Sequence, residues 1–305
     1  MKSWTTYIGL AGIMALLGYL YGLRGNAQDV GQFGTSAILW MIQYWNAPGA
    51  DLSYGWFIPV VCAGIVLTKR RELWTAPQSS HWIGLVVVIL SLALHWFGVR
   101  TQQTIISLLS LIGLLWGIPF YLYGWAVAKI LLFPCAYLLF CIPPGMLDSL
   151  TVPLRIMTSA VSTHVLNGLG VPAIRQGTLI LSANPGGFRL GVDDPCSGLR
   201  SLMAIAALTS VYAYFLHMAA WKKVILFFSA LPLAIIGNVV RVIAVAIAAG
   251  ILGQERAMGF YHDYSGYVVF AIAILLTMGV GRGLERLSVE RLLVWIRIHK
   301  SARSS

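Results

Sequence analysis

Long apolar runs separated by short polar segments dominate the chain. The runs are continuous, about twenty residues long and almost free of charge. That length suits an α-helix crossing a bilayer, whereas the strands of a transmembrane barrel read as short alternating segments. The pattern predicts an all-α integral membrane protein with about eight transmembrane helices, at 7–23, 55–67, 82–97, 104–122, 125–142, 199–218, 224–252 and 264–281.

Composition supports the same class of protein. The 305 residues are 58% hydrophobic and 10% charged, whereas soluble domains carry roughly 25% charged residues. So few polar side chains would leave a water-soluble globule of this length uncovered. The first run is long for a cleaved leader and lacks a clear cleavage site, so we interpret it as a retained signal-anchor helix. We expect one polytopic domain over 1–305.

The positive charges indicate how the helices are oriented. The net charge is +11, and the basic residues cluster in short loops and in the C-terminal tail, 282–305. Placing both termini in the cytoplasm puts every cluster on the cytoplasmic side, as the positive-inside rule expects. The clusters are Lys69–Arg71, Lys222–Lys223, and Arg282, Arg286, Arg291, Arg297 and Lys300. This distribution argues against nucleic-acid binding.

The same topology places an extracytoplasmic segment, about 143–198, between the fifth and sixth helices. Apolar residues at helical spacing over 150–169 predict an amphipathic helix lying on the outer leaflet. The short apolar stretches 178–181 and 188–192, separated by Asn184–Gly187, predict a small hairpin. Residues 37–45 are too short to span, so we expect an interfacial or re-entrant element there.

Cys196 has a polar context, unlike the other cysteines. Cys62, Cys135 and Cys141 lie inside apolar runs, which is typical of small packing residues, and no spacing suggests a metal site or a cofactor. Cys196 stands just before the sixth helix, where the helix dipole lowers the pKa of a thiol. The amides of Ser197 and Gly198 are candidate oxyanion donors. An ordinary buried cysteine remains the alternative.

Arg241 and His262 fall at the same membrane face as Cys196. Arg241 lies inside the seventh helix with Asn238 one turn earlier, and an arginine within a span usually marks function, although a salt bridge or snorkelling is the alternative. His262 opens the eighth helix and suits proton transfer, although an interfacial histidine is often unremarkable. A nucleophile, a cation and a base are what acyl transfer by a thiolate requires.

The residues quoted so far resemble the exosortase/archaeosortase family of membrane-embedded cysteine transpeptidases. The matching motifs are Cys196-Ser197-Gly198, Asn238-Val239-Val240-Arg241 and His262, in the family's order. Asp51–Gly55 followed by Lys69–Arg71 is similar to the family's N-terminal feature, with Tyr54 where a histidine is usual. Pro195 before the cysteine is a second departure.

The resemblance implies a function in protein sorting. It would make the chain a cysteine protease or transpeptidase of the inner membrane, with its active site on the periplasmic side. Its substrates would be secreted proteins whose C-terminal tail carries a PEP-CTERM-like motif, a transmembrane helix and a basic end. The cleaved protein would pass to a surface acceptor. Cys196, Arg241 and His262 would be catalytic, supported by Ser197, Gly198 and Asn238. The alternative is a non-enzymatic transporter or a polysaccharide-export subunit.

Overall fold

The computed structural model describes residues 4–23, 36–46, 53–143, 148–184, 187–192, 199–254 and 262–286. Side chains are described within these ranges except at 5–7, 10, 53, 148–151, 199–201 and 262–269. The chain divides into two compact units, Met1–Pro144 and Gly145–Ser305. Each unit has its own helical packing, and each is described by itself.

The first unit is helical throughout its described residues. Its elements are α1 (Trp4–Leu17) continuing into a π-helical segment (Gly18–Leu23), α2 (Ala37–Asn46), a 3₁₀ turn (Ser53–Trp56) leading into α3 (Phe57–Thr68), α4 (Arg70–Thr75), α5 (Trp82–Arg100), α6 (Thr104–Tyr123), and α7 (Trp125–Tyr137) ending in a 3₁₀ turn (Leu138–Cys141).

Close backbone approach holds α5 against α6. A side chain at Gly84 would collide with the backbone of Tyr121, and one at Gly117 would collide with Val87. Small residues at such contacts are typical of packed membrane helices, because lipid provides no hydrophobic force between them. A buried hydrogen bond of 2.6 Å between the hydroxyls of Tyr21 and Ser110 ties the first helix to α6.

The second unit combines helices with a small sheet. It contains α8 (Asp148–Gly168), β1 (Ala173–Gln176), β2 (Leu179–Ser182), β3 (Arg189–Gly191), α9 (Leu199–Phe215), α10 (Ala220–Leu252) and α11 (His262–Arg286). The strands are antiparallel in the order β1-β2-β3. Gly177 turns the chain between β1 and β2 with φ of +64°, a conformation that glycine adopts without strain.

The sheet and α8 pack on the C-terminal half of α10. Their buried apolar side chains form one cluster with that helix, consisting of Leu166, Ala173, Ile180, Phe188, Leu190, Val192, Val242, Val245, Ala246, Ala248 and Ala249. The helix α10 also packs against α9 and α11, and its first turn is hydrogen-bonded to the last turn of each. The helix α10 is therefore the axis of this unit, with a helical bundle at one end and the sheet at the other.

The predicted helical membrane protein is confirmed in its coarse form. Three described helices are long and apolar enough to cross a bilayer, namely Trp82–Arg100, Thr104–Tyr123 and Ala220–Leu252. Shorter apolar helices occupy Ala11–Leu23, Tyr54–Thr68, Trp125–Cys141 and Leu202–Phe215. The predicted hairpin is present as β2 and β3. The predicted all-α class omits the resulting sheet, and its strand β1 was not predicted.

The predicted amphipathic helix is present as α8, and its burial is inverted relative to a soluble helix. Its buried face carries Thr158, Ser159, Ser162 and Thr163, together with Leu166. Its exposed face carries a stripe of apolar residues, with Val152 at 51% exposure, and also Ile156, Met157, Val161 and Val165. Water would make an apolar outer face costly, whereas lipid would not.

The seventh predicted helix begins earlier than the apolar pattern suggested. Lys222 and Lys223 were assigned to a loop, yet both lie within the first turn of α10. Lys222 is only 7% exposed. Its ammonium group donates a 2.7 Å hydrogen bond to the carbonyl oxygen of Leu284, near the C-terminal end of α11. A cation is stabilised at a helix C-terminus by the free carbonyls there, which explains why a lysine is buried at this point.

Candidate active site

The segment that contains the predicted nucleophile is flanked by described residues on both sides. Cys196, Ser197 and Gly198 fall in 193–198, outside the described residues. Before this segment, the amide of Val192 donates to the carbonyl oxygen of Thr178 at 3.1 Å, and Val192 packs in the core beside α10. After it, α9 begins at Leu199. Cys196 precedes Leu199 by three residues in the chain.

A contact near the opposite end of the bundle sets the register of α9 against α10. The ammonium group of Lys223 donates to the carbonyl oxygen of Tyr214 at 3.1 Å. From Tyr214 back to Leu199, α9 rises about 22 Å, and from Lys223 to Asn238 α10 rises by the same amount. With the two helices antiparallel, the start of α9 therefore falls near the height of Asn238.

Two further contacts fix the height of α11. The Lys222–Leu284 hydrogen bond joins α10 to α11. A distance of about 24 Å along each helix axis from this bond leads to Asn238 on α10 and to Val268 on α11. Independently, Gly281 lies against the ring of Tyr212. A distance of about 20 Å along each helix axis from that contact leads to Leu199 on α9 and again to Val268 on α11. The three contacts agree, and we name Leu199, Asn238 and Val268 the Asn238 layer.

Arg241 and His262 lie just beyond this layer, on the side where α9 and α11 begin. Arg241 is one turn above Asn238, at about 5 Å along the axis, and His262 opens α11 about 9 Å above Val268. The heights of the backbone at these two residues therefore differ by roughly 4 Å. The start of α9, which follows Cys196, belongs to the same zone of the bundle.

Asn238 and Arg241 share one face of α10. Asn238 is 5% exposed and Arg241 is half-buried, and both are engaged in further interactions. Residues three apart on a helix are neighbours on its surface. A guanidinium within an apolar helix is costly to bury unless it faces partners or a polar cavity. This pair therefore supplies hydrogen-bond donors and a fixed positive charge at the height where the thiol-bearing segment joins α9.

Gln254, just beyond α10, organises the site in a way the sequence did not reveal. Its side-chain amide makes two hydrogen bonds with the backbone of Arg189, accepting from the amide at 3.2 Å and donating to the carbonyl at 3.1 Å. The strand that leads to Cys196 is thereby tied to the end of α10. A single glutamine after Gly253 carries no sequence signal that distinguishes it from a loop residue.

Among the described residues, no group of three or more His, Cys, Asp and Glu side chains is placed to hold a metal ion. The groups described at the site are a helix start, an amide and a guanidinium. They suit chemistry that binds and stabilises negative charge.

The family assignment accounts for this combination of elements. The family model described as "Transmembrane exosortase (Exosortase_EpsH)" matches residues 44–279, which is most of the chain. The protein belongs to the transmembrane exosortase family. No curated protein and no solved structure matches the chain.

Proposed function

We propose that the protein is a cysteine transpeptidase that cleaves C-terminal sorting tails from secreted proteins. It then transfers the cleaved proteins to a surface acceptor. Membership of the exosortase family supports this reaction class. The structural observation that supports it is that the start of α9, the pair Asn238 and Arg241, and the start of α11 fall within about 9 Å of one another along the bundle axis. A site of this kind needs a thiol, a cation and a base within a few ångströms of one carbonyl.

The chemistry balances with these groups. The sulfur of Cys196 attacks the scissile carbonyl after His262 has taken the thiol proton, and a tetrahedral oxyanion forms. Arg241 and the amides of Ser197 and Gly198 stabilise that oxyanion, and Asn238 holds the guanidinium of Arg241. The C–N bond breaks, His262 protonates the leaving amine, and a thioester remains on Cys196. An acceptor nucleophile, or water, then releases the acyl group and restores the thiol.

The proposal includes a location and a topology. Eight helices cross the cytoplasmic membrane, which is the inner membrane of a two-membrane cell. Both termini lie in the cytoplasm, and the site faces the extracytoplasmic side. In this arrangement the extracytoplasmic part, about 143–198, forms one domain with the helices. The apolar stripe on α8 lies against the outer leaflet. The partners are the substrate tail, membrane lipid and the acceptor, with no nucleic acid.

Co-expression with candidate sorting-tail substrates tests the function, with substrate size read by immunoblot. Wild type is expected to shorten a cognate tail, and Cys196→Ala is expected to abolish shortening. Cys135→Ala is the matched control, because Cys135 is a buried packing residue of α7 and its loss should leave processing intact. Equal processing by wild type and Cys196→Ala would contradict the mechanism.

A further inference from the structure

The outer edge of β3 presents backbone groups next to the segment that contains Cys196. The amide of Ser182 donates to the carbonyl of Phe188 at 2.8 Å, and the amide of Val192 donates to the carbonyl of Thr178 at 3.1 Å. Phe188 and Val192 therefore point their backbone groups toward β2. Successive residues of an extended strand point to opposite sides, so Arg189 and Gly191 point theirs to the outer edge of the sheet.

An amide group already occupies one position of this edge. Gln254 makes the two hydrogen bonds to the backbone of Arg189 that a neighbouring strand would make, at 3.2 and 3.1 Å. The outer edge of β3 can therefore pair with a planar amide group that accepts one hydrogen bond and donates another. Gly191 is the next outward-facing residue, and a glycine within a strand is typical of positions where another backbone approaches closely.

The opposite edge of the sheet, formed by β1, also has a side-chain amide bonded to its backbone. In the chain, however, β1 is not followed by the segment that contains Cys196. The side chain of Asn167 makes the equivalent pair of hydrogen bonds with the backbone of Ala173, at 2.8 and 3.0 Å. Arg175 is the next outward-facing residue on β1, because Ala173 and Arg175 lie opposite Ser182 and Ile180 in the register. The two edges therefore form a matched pair within one sheet.

We infer that an extended segment of the substrate peptide, next to the scissile bond, adds to the outer edge of β3 by backbone hydrogen bonds at Gly191. This inference rests on the proposed function and names how that site holds its substrate. Gly191 precedes Cys196 by five residues, which span at most about 17 Å. A strand added to this edge therefore delivers its next residues to the thiol. Backbone pairing provides affinity and fixes the register, as in other cases of strand addition.

Binding to the full-length Cys196→Ala variant in lipid nanodiscs separates recognition from chemistry. The probe is a fluorescent peptide of a tail that wild type processes, with its backbone amides methylated one at a time. We expect methylation of the one peptide amide that pairs with Gly191 to weaken binding about tenfold, the value of one lost backbone hydrogen bond. Methylation of the other amides should change binding less than twofold.

Variants of the two edges provide the matched comparison. Gly191→Pro removes the outward amide hydrogen and is expected to weaken binding of the unmodified peptide about tenfold. Arg175→Pro removes the equivalent amide on the other edge, so this variant should bind as the parent does. The methylation series uses unchanged protein and stands even if Gly191→Pro folds poorly.

The outcomes distinguish this inference from the proposed function. Equal tolerance of methylation at every position, or binding to a stably folded Gly191→Pro variant at full affinity, would overturn strand addition while leaving cysteine-dependent cleavage in place. A tail that wild type cleaves but that the Cys196→Ala variant does not bind would overturn it as well. A tail that is neither bound nor cleaved would remove both proposals.

Discussion

The ammonium group of Lys222 donates a 2.7 Å hydrogen bond to the carbonyl oxygen of Leu284, joining the first turn of α10 to the last turn of α11. Lys223, the next residue, bonds the carbonyl of Tyr214 in the last turn of α9. Two consecutive lysines in the first turn of α10 are thus hydrogen-bonded to the last turns of α9 and α11, at the same end of the three helices. The site lies at about the height of the Asn238 layer, so these bonds help to set the alignment of its parts.

Removing this connection should loosen the bundle. Lys222→Met keeps the aliphatic stem and deletes a buried charged hydrogen bond, which contributes on the order of 2 kcal/mol. We expect a clearly lower unfolding temperature in detergent, followed by tryptophan fluorescence. Lys129→Met is the control. The ammonium group of Lys222 lies over the ring of Trp221 at 5.6 Å, and that of Lys129 lies over the ring of Trp125 at 5.5 Å, but Lys129 is exposed. An equal shift for both variants would show that the Leu284 bond adds nothing.

Two tyrosines of the first unit whose hydroxyl groups are buried should respond differently to the loss of those groups. Tyr21 shares a 2.6 Å hydrogen bond with Ser110, so Tyr21→Phe should lower the free energy of unfolding by about 1 kcal/mol. The buried hydroxyl of Tyr54 has no hydrogen-bond partner within the described part of the chain. Tyr54→Phe should therefore be neutral or stabilising. Thermal unfolding of both variants checks this pair, and a Tyr54→Phe variant less stable than Tyr21→Phe would contradict it.

The stripe on α8 should be in contact with lipid. A spin label at Val161 is expected to collide more often with lipid-soluble oxygen than with a water-soluble nickel reagent in nanodiscs. Val161 is 43% exposed, whereas the neighbouring Ser162 is fully buried, so a label at Ser162 should be accessible to neither reagent. The labels are introduced in the Cys196→Ala background, where the remaining cysteines are buried. Higher access for nickel at Val161 would place this face in water.

Replacing Arg241 should reduce the rate of cleavage more than the affinity for substrate. An oxyanion-stabilising group typically contributes about 100-fold to 1,000-fold in kcat, so Arg241→Met should lower the cleavage rate by about that amount with KM nearly unchanged. Val240→Ala is the control, because Val240 is an exposed neighbour on the same helix. If Arg241→Met raised KM alone, Arg241 would be a substrate-binding residue rather than a stabiliser of the oxyanion.

Sequence periodicity predicted the longer helices and one hairpin, but it did not predict α4 (Arg70–Thr75). Apolar runs predicted the helices because a membrane span must satisfy its backbone hydrogen bonds internally. Periodicity failed where lone polar side chains decide the structure. Lys222 and Lys223 read as loop residues, since their burial depends on carbonyl groups of α9 and α11 that are distant in sequence.

The same limit applies to the candidate site. The motif around Arg241 was visible because an arginine inside an apolar run is unusual. The strand β1 was not predicted, because Ala173–Gln176 has no alternating apolar pattern and is held by the side chain of Asn167. The role of Gln254 is likewise set by a contact with Arg189, which lies far from it in the chain. Such contacts follow from the packed fold and leave no local pattern in the sequence.

The acyl-enzyme intermediate tests the central claim most directly. Full-length protein, incubated briefly with a cleavable tail and quenched in acid, would be digested and analysed by mass spectrometry. We expect the substrate's acyl group on the peptide that contains Cys196, released by neutral hydroxylamine as a thioester and missing from Cys196→Ala. An acyl group on another residue, or cleavage with hydroxylamine-stable modification, would contradict the assignment of Cys196 as the nucleophile.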